Sequence, residues 1–302
     1  MKKVTIIGAG NVGSHVANAL IMRNLAAEIF LIDTNDSFES AQVLDIRDAL
    51  LFHPFGKIRG ADFGDPEISD SDLVIITAGA NQVPGETRCN LLERNKKILR
   101  DIKISFDSLK KSAIVLLISN PVDILTQVAS EIFDLPWGQV FGTGTLLDSA
   151  RLRWRLAEKL RKNIRNTHGL VLGEHGDSEF VAWSTVLDAG KISPEDQIHI
   201  EESVRNEAYE IIEGKGATFF GIAAATAEIV TNIFADSKVV LPVSVPLRGE
   251  YDISDIALGV PAIIGSKGVE RVVEREINNA EKDQLRSAAQ KLKDLLKESC
   301  EV

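Results

Sequence analysis

The 302-residue chain is short of several things, and each shortage rules something out. It has two cysteines, Cys89 and Cys300, in no metal-binding spacing. A disulfide framework and a resident metal are therefore not expected, and a reducing cytoplasm is the expected home. No apolar run approaches the roughly 18 residues of a membrane span. Positive charge is scarce: 34 Lys and Arg face 44 Asp and Glu, a net charge of −10. That balance argues against nucleic acid and anionic membranes as partners, but not against a small anion in a locally positive pocket. There is no Pro/Gly-rich linker, internal repeat or low-complexity segment. Lys2 and Lys3 lead straight into a strand and a glycine turn, which reads as the start of a fold and not as a signal peptide. What is present is an ordinary core-forming composition, 44% hydrophobic and 26% charged.

The first half alternates strands with helices. Val4–Ile7 is a short β-branched run that reads as a buried parallel strand. It ends in Gly8-Ala9-Gly10-Asn11-Val12-Gly13, and a helical pattern follows with Val12, Val16, Leu20 and Ile21 on one face. Glu28–Asp33 is a second strand ending in an acid. The glycines can serve for turning only. In this frame, however, the first permits the tight turn, the second lets a pyrophosphate reach the backbone, and the third lets helix and strand pack closely. The helix N-terminus then faces the phosphates. Asp33 would accept hydrogen bonds from a ribose diol and repel a 2′-phosphate, which favours NAD over NADP. Further strands are expected at 73–76, 113–118 and 139–141, and helices around 37–51, 91–109 and 122–132. The fold class is α/β: an N-terminal doubly wound parallel (Rossmann) sheet followed by a C-terminal α+β substrate domain. The boundary falls near residue 142, giving a dinucleotide-binding domain over 1–142 and a substrate domain over 143–302. In the second part, helices are expected at 195–213, 217–234 and 281–297. Strands are expected at 170–172, 239–245, 253–258 and 263–265, the 239–245 and 253–258 runs in an antiparallel sheet.

Gly173-Glu174-His175-Gly176-Asp177 follows the strand Leu170–Leu172. A histidine between glycines at a strand end suits catalysis, though a turn histidine without a role fits equally well. The loop from Ala78 to Arg88 holds glycines and a proline, and carries Gln82 and Arg88. It reads either as a lid that closes on substrate or as an inert surface connection. From Thr145 a helix is expected. Asp148 and Arg151 share a face of it, whereas Arg153 points about 200° away from Arg151. His168 and His175 flank one strand, so they cannot serve the same site.

Taken together, these motifs resemble the lactate/malate dehydrogenase family, and within it the L-lactate dehydrogenases. The matching stretches are Gly8–Gly13, Gln82–Arg88, Ser119-Asn120-Pro121-Val122-Asp123, Leu147–Arg151 and Gly173–Asp177, in family order over almost the whole chain. The resemblance implies NAD as cofactor, held by Gly8, Gly10, Asn11, Val12, Gly13, Asp33, Ala78, Gly79 and Asn120. It implies reversible exchange between pyruvate and L-lactate. His175 would be the proton donor and acceptor, Asp148 would lie behind it, and Arg88 would polarise the carbonyl. Arg151 would hold the substrate carboxylate in a two-pronged pair. Asn120 would bond the substrate oxygen, and Thr218 would line the pocket. Gln82 stands where malate dehydrogenases carry arginine, so a second substrate carboxylate would be buried unpaired. Larger 2-oxo acids are the alternative substrates, with malate behind them. Arg153 and His168 match the positions that bind fructose 1,6-bisphosphate in allosteric bacterial relatives, although two solvated surface cations would look the same. Only seven residues precede Gly8, so the arm of the vertebrate enzymes is not expected. A homotetramer is implied by the family alone. Cys89 departs from the larger apolar residue usual at its position. Two other readings use the same dinucleotide fold. An NAD-dependent glycosidase would need a Cys/His metal arrangement, which neither cysteine offers. An NAD sensor with a decayed site would not be expected to keep His175, Asp148, Arg151 and Arg88 together.

Overall fold

The computed structural model describes residues 2–26, 28–53, 56–80, 88–106 and 108–298. The chain runs β1 (Lys3–Ile7), α1 (Asn11–Met22), β2 (Glu28–Ile32), α2 (Asp36–Ala49), β3 (Lys57–Gly60), α3 (Pro66–Ser69), β4 (Leu73–Ile76), α4 (Arg88–Ser105), β5 (Ile114–Leu117), α5 (Val122–Ile132) and β6 (Val140–Gly142). It continues with α6 (Leu146–Leu160), β7 (Leu170–Leu172), β8 (Phe180–Ala182), α7 (Pro194–Lys215), α8 (Phe220–Phe234), β9 (Val239–Arg248), β10 (Ser254–Gly265), β11 (Gly268–Val272) and α9 (Asn279–Glu298).

Every residue of β4 and β5 is buried, as apolar runs covered on both faces must be. The strands lie in the order β11-β10-β9-β6-β5-β4-β1-β2-β3, with β1 to β6 all parallel. The order reverses between β1 and β4, so the crevice for a ligand opens above their carboxyl ends. The C-terminal hairpin β9–β10 joins the same sheet antiparallel, through Gly142 opposite Ser244. Glycine is required there, because a Cβ on Gly142 would lie 2.4 Å from Thr126 Oγ1. The small two-stranded sheet β7–β8 carries the histidine turn. Among the described residues no helix is long and apolar enough to cross a membrane.

The sequence misplaces several edges. The expected strands 253–258 and 263–265 are one strand, β10, which runs through Pro261. Pro261 faces Pro242 across the ladder, and its carbonyl accepts from Val273 N–H just beyond β11. Its missing donor therefore falls at the last rung, where it costs little. β3, β8 and β11 were not anticipated. β3 is a polar edge strand that buries only Ile58, and β8 is three residues long. β11 exposes Glu270 and Arg271. α8 begins at Phe220 rather than 217, because Gly216 ends α7 in a left-handed conformation and residues 217–219 cross between the helices.

Candidate active site

The dinucleotide turn is built from backbone. Gly8 has φ +104°, and a Cβ there would sit 2.6 Å from Thr77 Oγ1 and 2.8 Å from Ala78 N. A Cβ on Gly13 would lie 1.8 Å from the Gly8 carbonyl oxygen, so α1 rests directly on the turn. Gly10, by contrast, has no neighbour within 4 Å of its would-be Cβ. It starts α1 without a side-chain cap, which leaves the helix N-terminus facing that open space. Ala9 N–H donates to Asp33 Oδ2 at 2.7 Å, and this bond fixes the acid at the end of β2 beside the turn. Open space, an uncapped positive helix end and an anchored carboxylate together fit a pyrophosphate and a ribose diol. Asn11 is exposed and Val12 half-buried in the first turn of the helix.

The walls of the crevice are tied together by Asn95, which is 3% exposed. Its Oδ1 accepts from Ala80 N–H at 2.7 Å, and its Nδ2 donates to the Asn120 carbonyl at 2.9 Å. Ser119 Oγ donates to the Ala78 carbonyl at 2.6 Å. Ala78, Gly79 and Asn120 are thereby held on one rim. The signal for Asn95 was legible, since an amide stands on the apolar face of α4 among Leu91, Leu92, Ile98 and Leu99. Gln82 and the side chain of Arg88 lie outside the described residues; the backbone of Arg88 opens α4.

His175 hangs from a turn clamped on three sides. Gly173, at φ +98°, exchanges two hydrogen bonds with Gly259 of β10, at 3.0 and 2.8 Å. His175 N–H donates to Asp123 Oδ2 at 2.7 Å, and Ser244 Oγ donates to Asp123 Oδ1 at 2.6 Å. The ring Nδ1 meets Asp148 Oδ2 at 2.7 Å. Asp148, 1% exposed, also accepts from Arg151 Nη1 at 2.9 Å through its other oxygen. Arg151 Nε lies 3.4 Å from Glu207 Oε1, and the second oxygen of Glu207 pairs with Arg155 at 3.1 Å. Asp123, Glu179, Arg205 and Glu207 are the residues that sequence reasoning did not assign. Asp123 ends the Ser119–Asp123 motif, which by itself gives it no role. The other three carry no local signal, because α7 and the end of the histidine turn meet α6 only in the folded chain.

The charges explain one another. The Asp148 carboxylate raises the His175 pKa to about 9 against the opposing effect of burial. Burial pushes Asp148 up, but His175 and Arg151 outweigh it and leave its pKa below the usual value. Burial raises Asp123 to about 6, although Ser244 and the His175 N–H bond its ionised form. Burial and the neighbouring Asp148 raise Glu179 to about 8. A cavity of about 360 Å³ opens on this group, lined among others by Asn120, Asp148, Arg151, His175, Glu179 and Arg205. Thr218 lies half-buried in the α7–α8 connection and is not among the described residues lining it. An imidazole backed by a carboxylate, beside a guanidinium in a recess, can exchange a proton with an oxygen of a bound carboxylic acid.

A second cavity, about 510 Å³, lies beside another face of α6. Arg153 and His168 both line it, as do Arg275 and Glu276. Arg153 Nε donates to the Thr167 carbonyl at 3.0 Å and its Nη2 to the Ile164 carbonyl at 3.3 Å.

The matches to known proteins cover the whole arrangement. The family model described as lactate/malate dehydrogenase, NAD binding domain, matches residues 2–142. That for the lactate/malate dehydrogenase alpha/beta C-terminal domain matches residues 145–302. The chain is 41% identical to an L-lactate dehydrogenase of Treponema denticola, over 98% of each chain. It is 42% identical to L-lactate dehydrogenase 1 of Enterococcus faecalis, over 98% of this chain and 93% of that one. Among solved structures, the minor L-lactate dehydrogenase from Enterococcus mundtii in a ligand-bound form superposes with a TM-score of 0.92 at 37% identity, over 98% of both chains. A lactate dehydrogenase from a Medee basin deep-sea metagenome library gives the same TM-score at 36% identity, over 99% of both. With an N-terminal half matched as an NAD-binding domain and full-length relatives at this identity, the chain belongs to the lactate/malate dehydrogenase family.

Proposed function

We propose that this protein is an NAD-dependent L-lactate dehydrogenase that interconverts pyruvate and L-lactate, with His175 as the proton donor and acceptor. The observation that carries the reading is the 2.7 Å contact between His175 Nδ1 and Asp148, open to a cavity that also holds Arg151. NADH, when bound, supplies the hydride that reduces the ketone. The residues of the chain do the rest. The Gly8–Gly13 turn and Asp33 hold the dinucleotide, with Ala78, Gly79 and Asn120 at the rim. Arg151 binds the substrate carboxylate, using the guanidinium edge that Asp148 leaves free. The His175 imidazolium gives its proton to the developing alkoxide, and Asp148 stabilises the imidazolium and fixes the ring. Arg88 polarises the carbonyl. Gln82 sets the side-chain end of the pocket, where a neutral glutamine leaves a second carboxylate unpaired. The division at residue 142 then separates cofactor from substrate chemistry.

Arg153 and His168, on one wall of the second cavity, form half of a phosphate site for fructose 1,6-bisphosphate as an activator of a homotetramer. The protein works in the cytoplasm. The test is the initial rate of NADH oxidation with pyruvate, 2-oxo acids of longer chain, and oxaloacetate, each with and without fructose 1,6-bisphosphate. Pyruvate should give the highest kcat/KM, and the effector should lower its KM. A higher kcat/KM with a longer 2-oxo acid or with oxaloacetate would overturn the substrate assignment. An unchanged KM would remove Arg153 and His168 from regulation.

A further inference from the structure

Three acids line the catalytic cavity without a part in this reaction scheme, Glu174, Asp177 and Glu179, and only Glu179 is buried. Glu179 lies four residues after His175, just ahead of β8, and is 6% exposed. Single donor atoms of Glu179, His175 and Asp148 lie within 4.8 Å of one another. The Glu179 main-chain carbonyl accepts from Arg205 Nη2 at 3.1 Å, but its carboxyl group makes no hydrogen bond among the described residues. Its carboxyl oxygens are open to the cavity, beside the histidine.

We propose that Glu179 is a positioning residue for charge: it fixes the protonation state of the His175–Asp148 pair, so that His175 keeps its proton above neutral pH. The proposal rests on His175 being the proton donor. The surroundings supply the balance. Helix α6 presents Asp148, which repels a Glu179 anion, and Arg151, which attracts it. Helix α7 presents Arg205 and Glu201, which line a narrow cleft with Glu179. The turn itself presents His175, and Asp123 reaches that residue from α5. Burial holds Glu179 largely protonated at neutrality, with a pKa of about 8. As pH rises, the first proton lost from the Glu179–His175 pair leaves an anion facing an imidazolium. That anion makes removal of the second proton harder. A neutral side chain at 179 takes this hold away, and His175 then discharges at a lower pH.

The experiment is NMR titration of the histidine Cε1–H signals in the wild type, Glu179→Gln and Glu179→Asp, with His175→Ala identifying the resonance. The midpoint of His175 should fall by about one unit in Glu179→Gln, the scale expected for a charge at 4–6 Å, and stay near wild type in Glu179→Asp. The alkaline limb of pyruvate reduction should move down by the same amount, while NADH affinity stays unchanged. If Glu179→Gln does not fold, Glu179→Met, of similar length and neutral, carries the same expectation. An unmoved His175 midpoint in a folded neutral variant overturns the proposal, whatever the substrate. A shifted midpoint in a protein whose wild type does not reduce pyruvate keeps the Glu179–His175 link and overturns the lactate reading instead.

Discussion

The dinucleotide turn and the catalytic cavity solve opposite problems. The turn is made of backbone, with the Asp33 carboxylate beside it, and binds by leaving things out: no Cβ at Gly8, Gly10 or Gly13, and no side-chain cap on α1. The cavity is made chiefly of side chains from α6, α7, the turn after β7 and the Asn120–Pro121 segment, and it works by crowding charges together. Asp123, Asp148, His175 and Glu179 all titrate away from their ordinary values because burial and neighbours act on them at once. A site of dipoles changes little with pH, whereas a site of buried titrating groups is set by it.

The contrast can be broken at its strongest point first. His175→Ala should lower kcat by about 10²–10⁴-fold, the usual worth of a positioned acid–base group, while NADH binding measured by fluorescence stays intact. Near-normal turnover would leave the cavity without its proton carrier. In the wild type the sign of the pH effect follows from the raised histidine value. Only the imidazolium can donate, so pyruvate reduction should hold through neutrality and fall as pH passes about 9, while lactate oxidation rises over the same interval.

The turn can be split next with two alanines. Gly13→Ala drives a methyl into the Gly8 carbonyl, so it should cost about 1–3 kcal/mol and lower both the Tm and NADH affinity. Gly10→Ala meets nothing in the protein, so the Tm should stay and only NADH affinity should fall. If Gly10→Ala binds NADH normally, the open space above it is not where the phosphates lie. The smallest effect is expected outside both regions. Arg153→Ala should abolish the fructose 1,6-bisphosphate-induced fall in KM and leave the saturated rate alone; a surviving response would place the effector elsewhere.

The sequence by itself determined whatever depends on near neighbours. The glycine spacing at 8, 10 and 13, the acid at 33, the apolar runs of β1, β4 and β5 and the 148/151 pair on one face of α6 are all local geometry, fixed by strand and helix periods. The resemblance to the family implies His175 paired with Asp148. Tertiary structure decided the rest. β3 and β11 are too polar to read as strands, and they exist because a sheet edge needs cover on one side only. The hairpin β9–β10 joins the parallel sheet through a single pair, Gly142 and Ser244, a partnership separated by about a hundred residues. Asp123 reaches the His175 main chain and Asn95 bridges two loops because the sheet brings those strand ends together, and Glu179 lies near Asp148 because the β7–β8 hairpin packs on α6. Charge interactions depend on distance and burial, neither of which is written in residue order, so the pKa values of the cavity belong to the fold.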